Sequence, residues 1–295
     1  MQRSDDDNAM GNGSPSPSAV RTATARAVHQ LLDDPIVFED PLALPILGRG
    51  HERAVREDPF RHNDPAARTM RAAIVARSRL AEDELQKAVG EGVRQFVVLG
   101  AGLDTFAYRN PYNALGLQTY EVDQPPMQHW KRTRLDEACI PIPDSLTFVG
   151  TDFETGDSLS ERLREAGFRW GEPACFSWLG VTPYLTDADV LDVLATLSHS
   201  PAGSRVVFDY RLPTSMLEPL ERMMEEHVAE LFAAMGEPWR SSFEPVELQH
   251  QLGYMGFTDL ENLGPAALNE RFFPRRKDGL QTGGGGLRML CARRY

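Results

Sequence analysis

The sequence predicts an α/β fold: a doubly wound, mostly parallel seven-stranded sheet with helices on both faces, an antiparallel last strand and a helical N-terminal cover. Three observations lead there. Apolar runs at 95–99, 117–122, 146–149, 174–179 and 205–209 alternate with helical patterns at 124–138, 157–166 and 186–199. Such alternation builds a parallel sheet. The run Phe96-Val97-Val98-Leu99 passes directly into Gly100-Ala101-Gly102, as a buried strand ending in a sharp turn would. The tail differs: 255–262 and 287–294 read as strands with no helix between them, joined flexibly by glycines 283–286, which suggests a hairpin-like antiparallel edge.

The remaining elements follow in chain order. Residues 1–18 hold Asp, Asn, Gly, Ser and Pro and almost nothing apolar, and are expected to be disordered. Residues 19–33 place Val20, Ala23, Ala27 and Leu31 on one helical face. Pro35, Pro41 and Pro45 then interrupt a segment still rich in apolar residues (Ile36, Val37, Phe38, Leu42, Leu44, Ile46, Leu47), which reads as an irregular cover. A strong helix pattern spans 66–89, and beyond the fifth strand 214–235 and 244–253 read as a long and a shorter helix. There is no internal repeat.

Composition narrows the possibilities. The 295 residues carry a net charge of −12, which disfavours nucleic acid and anionic membranes as partners. Cys139, Cys175 and Cys291 are far apart and form no metal-ligand spacing. They read as reduced, mostly buried thiols of a cytoplasmic protein, and no metal site is expected. No apolar stretch is long enough to span a bilayer, and the acids at Asp5, Asp6 and Asp7 do not suit a signal peptide.

Asp123 follows Gly100 by 23 residues and ends the second apolar run. An acid about 20 residues after a glycine turn, at the tip of the next strand, can accept hydrogen bonds from both hydroxyls of a ribose. A dinucleotide fingerprint would need a third glycine where Thr105 stands, and no P-loop is present. S-adenosylmethionine, an adenosine ligand without phosphate, remains; the other reading of Gly100 and Gly102 is an ordinary strand-to-helix turn. Arg77 falls in the middle of the apolar face made by Met70, Ile74, Ala81, Leu85 and Ala88, whereas Arg79 lies opposite. Such an arginine either pairs with an internal acid or grips a ligand carboxylate with its planar fork.

Taken together, these residues resemble the leucine carboxyl methyltransferase family, in particular its bacterial S-adenosylmethionine-dependent O-methyltransferase branch. The resemblance spans roughly residues 19–211. It is carried by Thr22-Ala23 with Arg26-Ala27, Asp34-Pro35, Asp40-Pro41, Ala76-Arg77-Ser78-Arg79, Leu99-Gly100-Ala101-Gly102-Leu103-Asp104-Thr105, Tyr108-Arg109, Tyr120-Glu121-Val122-Asp123-Gln124-Pro125, Asp152-Phe153, and Trp178-Leu179-Gly180-Val181-Thr182-Pro183-Tyr184-Leu185. It implies that Arg77 holds the cofactor carboxylate, Gly100, in the turn with Gly102, faces its amino-acid part, and Asp123 binds the ribose. Asp152 would take the adenine amino group, and the Phe153 backbone would meet the ring. Asp152 also follows the run at 146–149, where either an adenine-edge acceptor or a plain helix N-terminal acid can sit. Leu179 departs from the family, which often has Glu there, so the cofactor's amino end needs another partner. The divergent tail argues against methylation of one particular protein's C-terminus.

The expected organisation is one methyltransferase domain, 19–295: an N-terminal cover (19–90), a cofactor-binding core (91–210), and acceptor-side helices with the last two strands (211–295). Tyr184, Tyr210 and Arg211, at the ends of the fourth and fifth strands, are the acceptor-side candidates; both tyrosines could equally be packed in the core. Segments 36–65, 211–243 and 264–286 are expected to line the acceptor pocket. His129 reads as a solvated residue, and Arg109 as a ligand contact or a structural ion pair. The leading reading is an O-methyltransferase acting on a carboxylate or hydroxyl of a small metabolite. The alternatives are a nicotinamide-dependent oxidoreductase and a catalytically silent S-adenosylmethionine-binding protein.

Overall fold

The five apolar runs become the parallel part of one sheet: β1 (Gln95–Leu99), β2 (Gln118–Asp123), β3 (Leu146–Gly150), β4 (Cys175–Trp178) and β5 (Arg205–Arg211). The tail adds β6 (Phe257–Leu263) and β7 (Leu287–Arg294). The computed structural model describes residues 16–153 and 158–295. The strand order is β3-β2-β1-β4-β5-β7-β6, and β7 pairs antiparallel with both of its neighbours. The predicted architecture is therefore the observed one. Strand order reverses between β1 and β4, and ligands bind in the crevice beyond the strand ends at such a switch point.

Side chains alternate across the sheet, so each face collects its own helices. Val97, Leu99, Phe176, Trp178, Phe208 and Tyr210 pack with α5 (Leu159–Glu165), α6 (Asp187–Leu197) and α8 (Pro245–Tyr254). Phe96, Val98, Cys175, Val207 and Met289 face α3 (Pro65–Gly90) and α9 (Pro265–Phe272). Each fully buried large side chain contributes about 1.5–3 kcal/mol. A third cluster joins α1 (Pro17–Leu32), α2 (Arg49–Glu57) and α4 (Pro125–Glu137) through Ala27, Val28, Val55, Leu103 and Leu135. Among the described residues, no helix is long and apolar enough to cross a membrane.

Four details differ from the sequence reading. Helix α1 begins at Pro17, with the Ser16 hydroxyl capping the Ala19 amide, so residues 16–18 are ordered into the helix start. Residues 1–15, the rest of the expected disordered tail, lie outside the described residues, as does residue 157 of the helix expected at 157–166. Helix α9 interrupts the expected glycine-joined hairpin; of its eight residues only Leu268 is buried, too few to make a periodic pattern. Helix α2 was missed for the same reason, having Val55 as its one buried residue. No α-helix joins β1 to β2; two single 3-10 turns, Phe106–Tyr108 and Asn113–Leu115, make the connection. Of the cysteines, Cys175 and Cys291 are buried and Cys139 is exposed.

The proline-interrupted segment after α1 does act as a cover, and buried polar groups hold it. His29 accepts the amides of Val37 and Phe38 on Nε2, at 3.0 and 3.2 Å. Its Nδ1 therefore carries the proton and donates to Asp33 at 2.7 Å. Asp33 also takes Arg71 on both oxygens, at 2.8 and 3.0 Å. Burial works to raise the Asp33 pKa, but the hydrogen bonds from His29 and Arg71 outweigh it and hold the carboxyl below its ordinary value.

A second buried pair lies beneath the turn after β1. Lys131 Nζ is 2.6 Å from Glu121 Oε2, and both side chains are almost wholly enclosed. Tyr108 donates to the same oxygen at 3.2 Å, while Oε1 has no partner among the described residues. Burial pushes the Glu121 carboxyl up to about 7 despite the lysine. Breaking such a pair leaves one uncompensated charge inside. Glu121→Leu and Lys131→Met should each lower unfolding free energy by about 3–5 kcal/mol in urea titrations, and the double variant by much less than their sum.

Candidate functional site

The C-terminal ends of β1 and β4 open into a cavity of about 640 Å³. Its floor is the turn after β1. Gly100 has φ +63°, and a Cβ there would lie 2.2 Å from Val181 Cγ2, so only glycine lets the turn nest against the segment after β4. The Gly100 and Ala101 amides both donate to the Val122 carbonyl, which folds the turn back onto β2. Gly102 N donates to Asp123 Oδ2 at 2.6 Å, and Gln124 N to Oδ1 at 2.8 Å. Burial pushes the Asp123 carboxyl up, and these two amides pull against it. A carboxylate oxygen has two lone pairs, so each retains one for a ligand hydroxyl.

Helix α1 grips the turn from outside. Arg26 donates to the Leu103 carbonyl at 2.6 Å and to Asp40 at 3.3 Å. Thr105, in the place of a third glycine, donates to Asp40 at 2.8 Å. Arg109 reaches Thr105 at 3.2 Å and forms an ion pair with Glu82. It is a structural clamp and does not line the cavity. The turn is thus closed by side chains and a 3-10 turn. A dinucleotide's pyrophosphate would require a helix N-terminus there, and none follows β1.

Arg77 pairs with an internal acid, one of its two predicted descriptions, and it also lines the cavity. Its Nη1 is 2.7 Å from Oδ2 of Asp209, an almost fully buried residue on the α3 face of β5. Asp209 Oδ1 accepts the Gly180 amide at 2.6 Å. Gly180 has φ +71°, and a Cβ there would meet Arg77 Nη2 at 2.6 Å. One carboxylate thereby fixes both the arginine and the bend after β4. Leu179 supplies an apolar wall where the family often has Glu. Arg79 instead points outward to Asp83 at 2.7 Å and is half exposed.

Asp152 and Phe153 line the far end of the cavity just after β3, and the Phe153 ring lies 6.2 Å from that of Trp178. Of the acceptor-side candidates, Tyr184 alone lines the cavity. Burial raises its pKa, although a hydrogen bond with Ser18 opposes this. Tyr210 is 1% exposed in the core and its hydroxyl accepts from Asn262 at 2.7 Å. Arg211 is paired with Glu225, and its guanidinium carbon sits 3.5 Å from the Trp239 ring centroid. Neither reaches the cavity. His129 is exposed and does not line it either.

Sequence reasoning missed the N-terminal half of the roof. Ser16 at the N-cap of α1, Ser18 and Thr22 within it, and Gly236, Glu237, Pro238 and Arg240 after α7 (Pro219–Ala234) line the cavity. Ser16 Oγ and Ser18 N both donate to Glu237. The segment 211–243 does contribute as expected, but 36–65 and 264–286 do not. Asp209 was also missed; an acid within the apolar run 205–209, matched to an arginine on an apolar helix face, was the available signal.

With this geometry in place, the profile of the leucine carboxyl methyltransferase family matches residues 19–198. The chain belongs to that family. It is 34% identical over 282 residues to YktD of Bacillus subtilis (strain 168), a protein classed among S-adenosyl-L-methionine-dependent methyltransferases; the match covers 88% of this chain and 92% of YktD. A similarly classed protein of Mycobacterium marinum is 33% identical over 220 residues, 71% of this chain and 70% of its own. A crystal structure of a methyltransferase-type protein from Thermobifida fusca superposes with TM-score 0.59, covering 96% of each chain at 18% identity, which shows the shared fold. So does a DUF574 family protein from Streptomyces avermitilis, at TM-score 0.55 and 17% identity over 93% of this chain and 97% of its own.

The chain is thus a methyltransferase dependent on S-adenosylmethionine, and the nicotinamide alternative falls with both the family and the missing helix. The cavity fits that cofactor: bare backbone at Gly100, an oriented carboxylate at Asp123 and a cationic fork at Arg77 lie along one trough. Asp123→Ala should weaken S-adenosylhomocysteine binding roughly 100-fold or more, from two lost hydrogen bonds to a charged group, with the circular dichroism spectrum unchanged. Calorimetry should also show Arg77→Ala losing more affinity than Arg79→Ala. Hydrogen bonds from a ribose would favour the ionised carboxylate, whose pKa burial has raised; affinity should fall as pH drops into the acid range, and Asp123→Asn should flatten that dependence.

Proposed function

We propose that this chain transfers a methyl group to an oxygen of a small metabolite, a carboxylate or a hydroxyl, and that the carboxylate is the better fit. The observation that carries this reading is the make-up of the acceptor end. Among the described residues no histidine, lysine or cysteine lines the cavity. Tyr184 has its pKa raised by burial and is a neutral phenol near neutral pH. Glu237 is engaged by Ser16 and Ser18. A carboxylate needs no base to become a nucleophile, whereas a hydroxyl gains from one. Arg240, with its amide held by the Pro183 carbonyl at 2.6 Å, lines the same end.

Bound S-adenosylmethionine supplies a methyl group already activated on a sulfonium centre. The protein's own part is orientation and exclusion of water. Asp123 and Arg77 would hold the two ends of the donor. Leu179, Val181 and Leu185 form an apolar wall between them and the acceptor end. The roof is tied from α1 to the segment after α7, since Arg21 also sits 4.8 Å over the Phe232 ring. A roof tied across the trough supports a small acceptor. A silent S-adenosylmethionine-binding protein stays as the second reading because of Leu179: the nearby Asp209 has already committed both oxygens to Arg77 and Gly180.

Incubation with S-adenosylmethionine and a panel of small carboxylic acids and phenols separates these readings. We expect S-adenosylhomocysteine release with an acid, and a methylated product that mild base hydrolyses to methanol. A base-stable ether would overturn the carboxylate assignment, and no turnover with any acceptor would favour the silent reading. Tyr184→Phe should keep more than about a tenth of wild-type kcat, because loss of a true general base costs roughly 100-fold or more.

A further inference from the structure

A second cavity, of about 420 Å³, lies at the ends of β5 and β6 and the start of β7 and shares no lining residue with the first. Its walls include Leu212, Leu217, Glu221, Asn262, Ala266 and Arg288. Arg288 is unusual. Every other arginine among the described residues that is not exposed has a hydrogen bond, ion pair or aromatic contact; Arg288 has none, and its Nε is buried without a partner. Its guanidinium is packed on the N-cap of α9, where a Cβ on Gly264 would lie 2.5 Å from Nη1. Gly264 brings no side-chain cap, and the first intrahelical bond is made by Leu268, which leaves the Ala266 and Ala267 amides in the cavity wall. A fixed positive charge therefore sits beside the positive end of a helix, with no counter-charge in contact.

The same cavity has an opposite side. Glu221 lines it and forms no ion pair with Arg288. Asn262 spends its Nδ2 on Tyr210, and its Oδ1 is buried without a partner among the described residues. Both groups accept hydrogen bonds. Leu212, Leu217 and Ala266 make the wall between apolar. We propose that this cavity is a second ligand site, for a small zwitterion with an apolar side chain, that is, a free amino acid. Its carboxylate would lie on Arg288 and the first-turn amides of α9, and its ammonium on Glu221 and Asn262. Glu221 disfavours a bare dianion there.

The full chain, saturated with S-adenosylhomocysteine, would be titrated by calorimetry with each free proteinogenic amino acid that has an apolar side chain. At least one should bind without displacing the nucleoside. Arg288→Gln and Glu221→Gln should each weaken it about tenfold or more, as should removal of its amino group, while nucleoside affinity stays as in wild type. Binding by none, displacement by S-adenosylhomocysteine, unchanged affinity in Arg288→Gln, or equal affinity for inorganic phosphate would each overturn the proposal. Nucleoside affinity is read in the same titrations, so failure here is separable from failure of the methyl-donor site.

Discussion

The Gly102 amide donates to the Asp123 carboxylate at 2.6 Å, and the donor trough is organised around that bond. It ties the tip of β1 to the tip of β2. Because Gln124 holds the other oxygen, the carboxylate cannot rotate to satisfy itself elsewhere. A group buried to this degree is held ready for a ligand at the cost of its own solvation, which is why its pKa rises. Arg26, Asp40 and Thr105 serve the same bond from outside by fixing the loop that presents Gly102. The N-terminal cover is thus part of the site's architecture.

A parallel arrangement occurs at β4 and β5. Asp209 ties the Gly180 amide and Arg77 together. In both places an acid on a strand takes a glycine amide from a neighbouring bend, and in both the glycine has a positive φ. The difference lies in what remains. Asp123 keeps accepting capacity toward the trough, whereas Asp209 is neutralised by an arginine that itself lines it. Asp209 does not stand in for the acid that Leu179 lacks, because both of its oxygens are already taken by Arg77 and Gly180. The second cavity has its own unbalanced charges, at Arg288 and Glu221, and lies outside this arrangement.

Much of this was legible in the chain. Five apolar runs, their helical intervals and the glycine turn sufficed for the sheet, and the six residues that the motifs expect at the donor, Arg77, Gly100, Gly102, Asp123, Asp152 and Phe153, all line one cavity. Short elements were not legible. Helices α2 and α9 each bury one residue, and amphipathic periodicity needs several. The acceptor side was read less well: Tyr184 lines the cavity, but Tyr210 and Arg211 do not. Being at a strand end does not say which face a side chain takes, or whether a neighbour such as Asn262 or Glu225 has already claimed it.

The sequence alone determined the sheet, the glycine turn and the acid at the tip of its second strand. Those depend on local patterns, a two-residue strand period and a glycine's conformational freedom, and local patterns survive without knowledge of the fold. Only the tertiary structure decided that Asp209 would face Arg77 across 132 residues, or that Glu237 would close on Ser18 across 219. Pairings of that range leave no period in the chain; they exist only after the hydrophobic faces have been buried and their few charged members have been brought together.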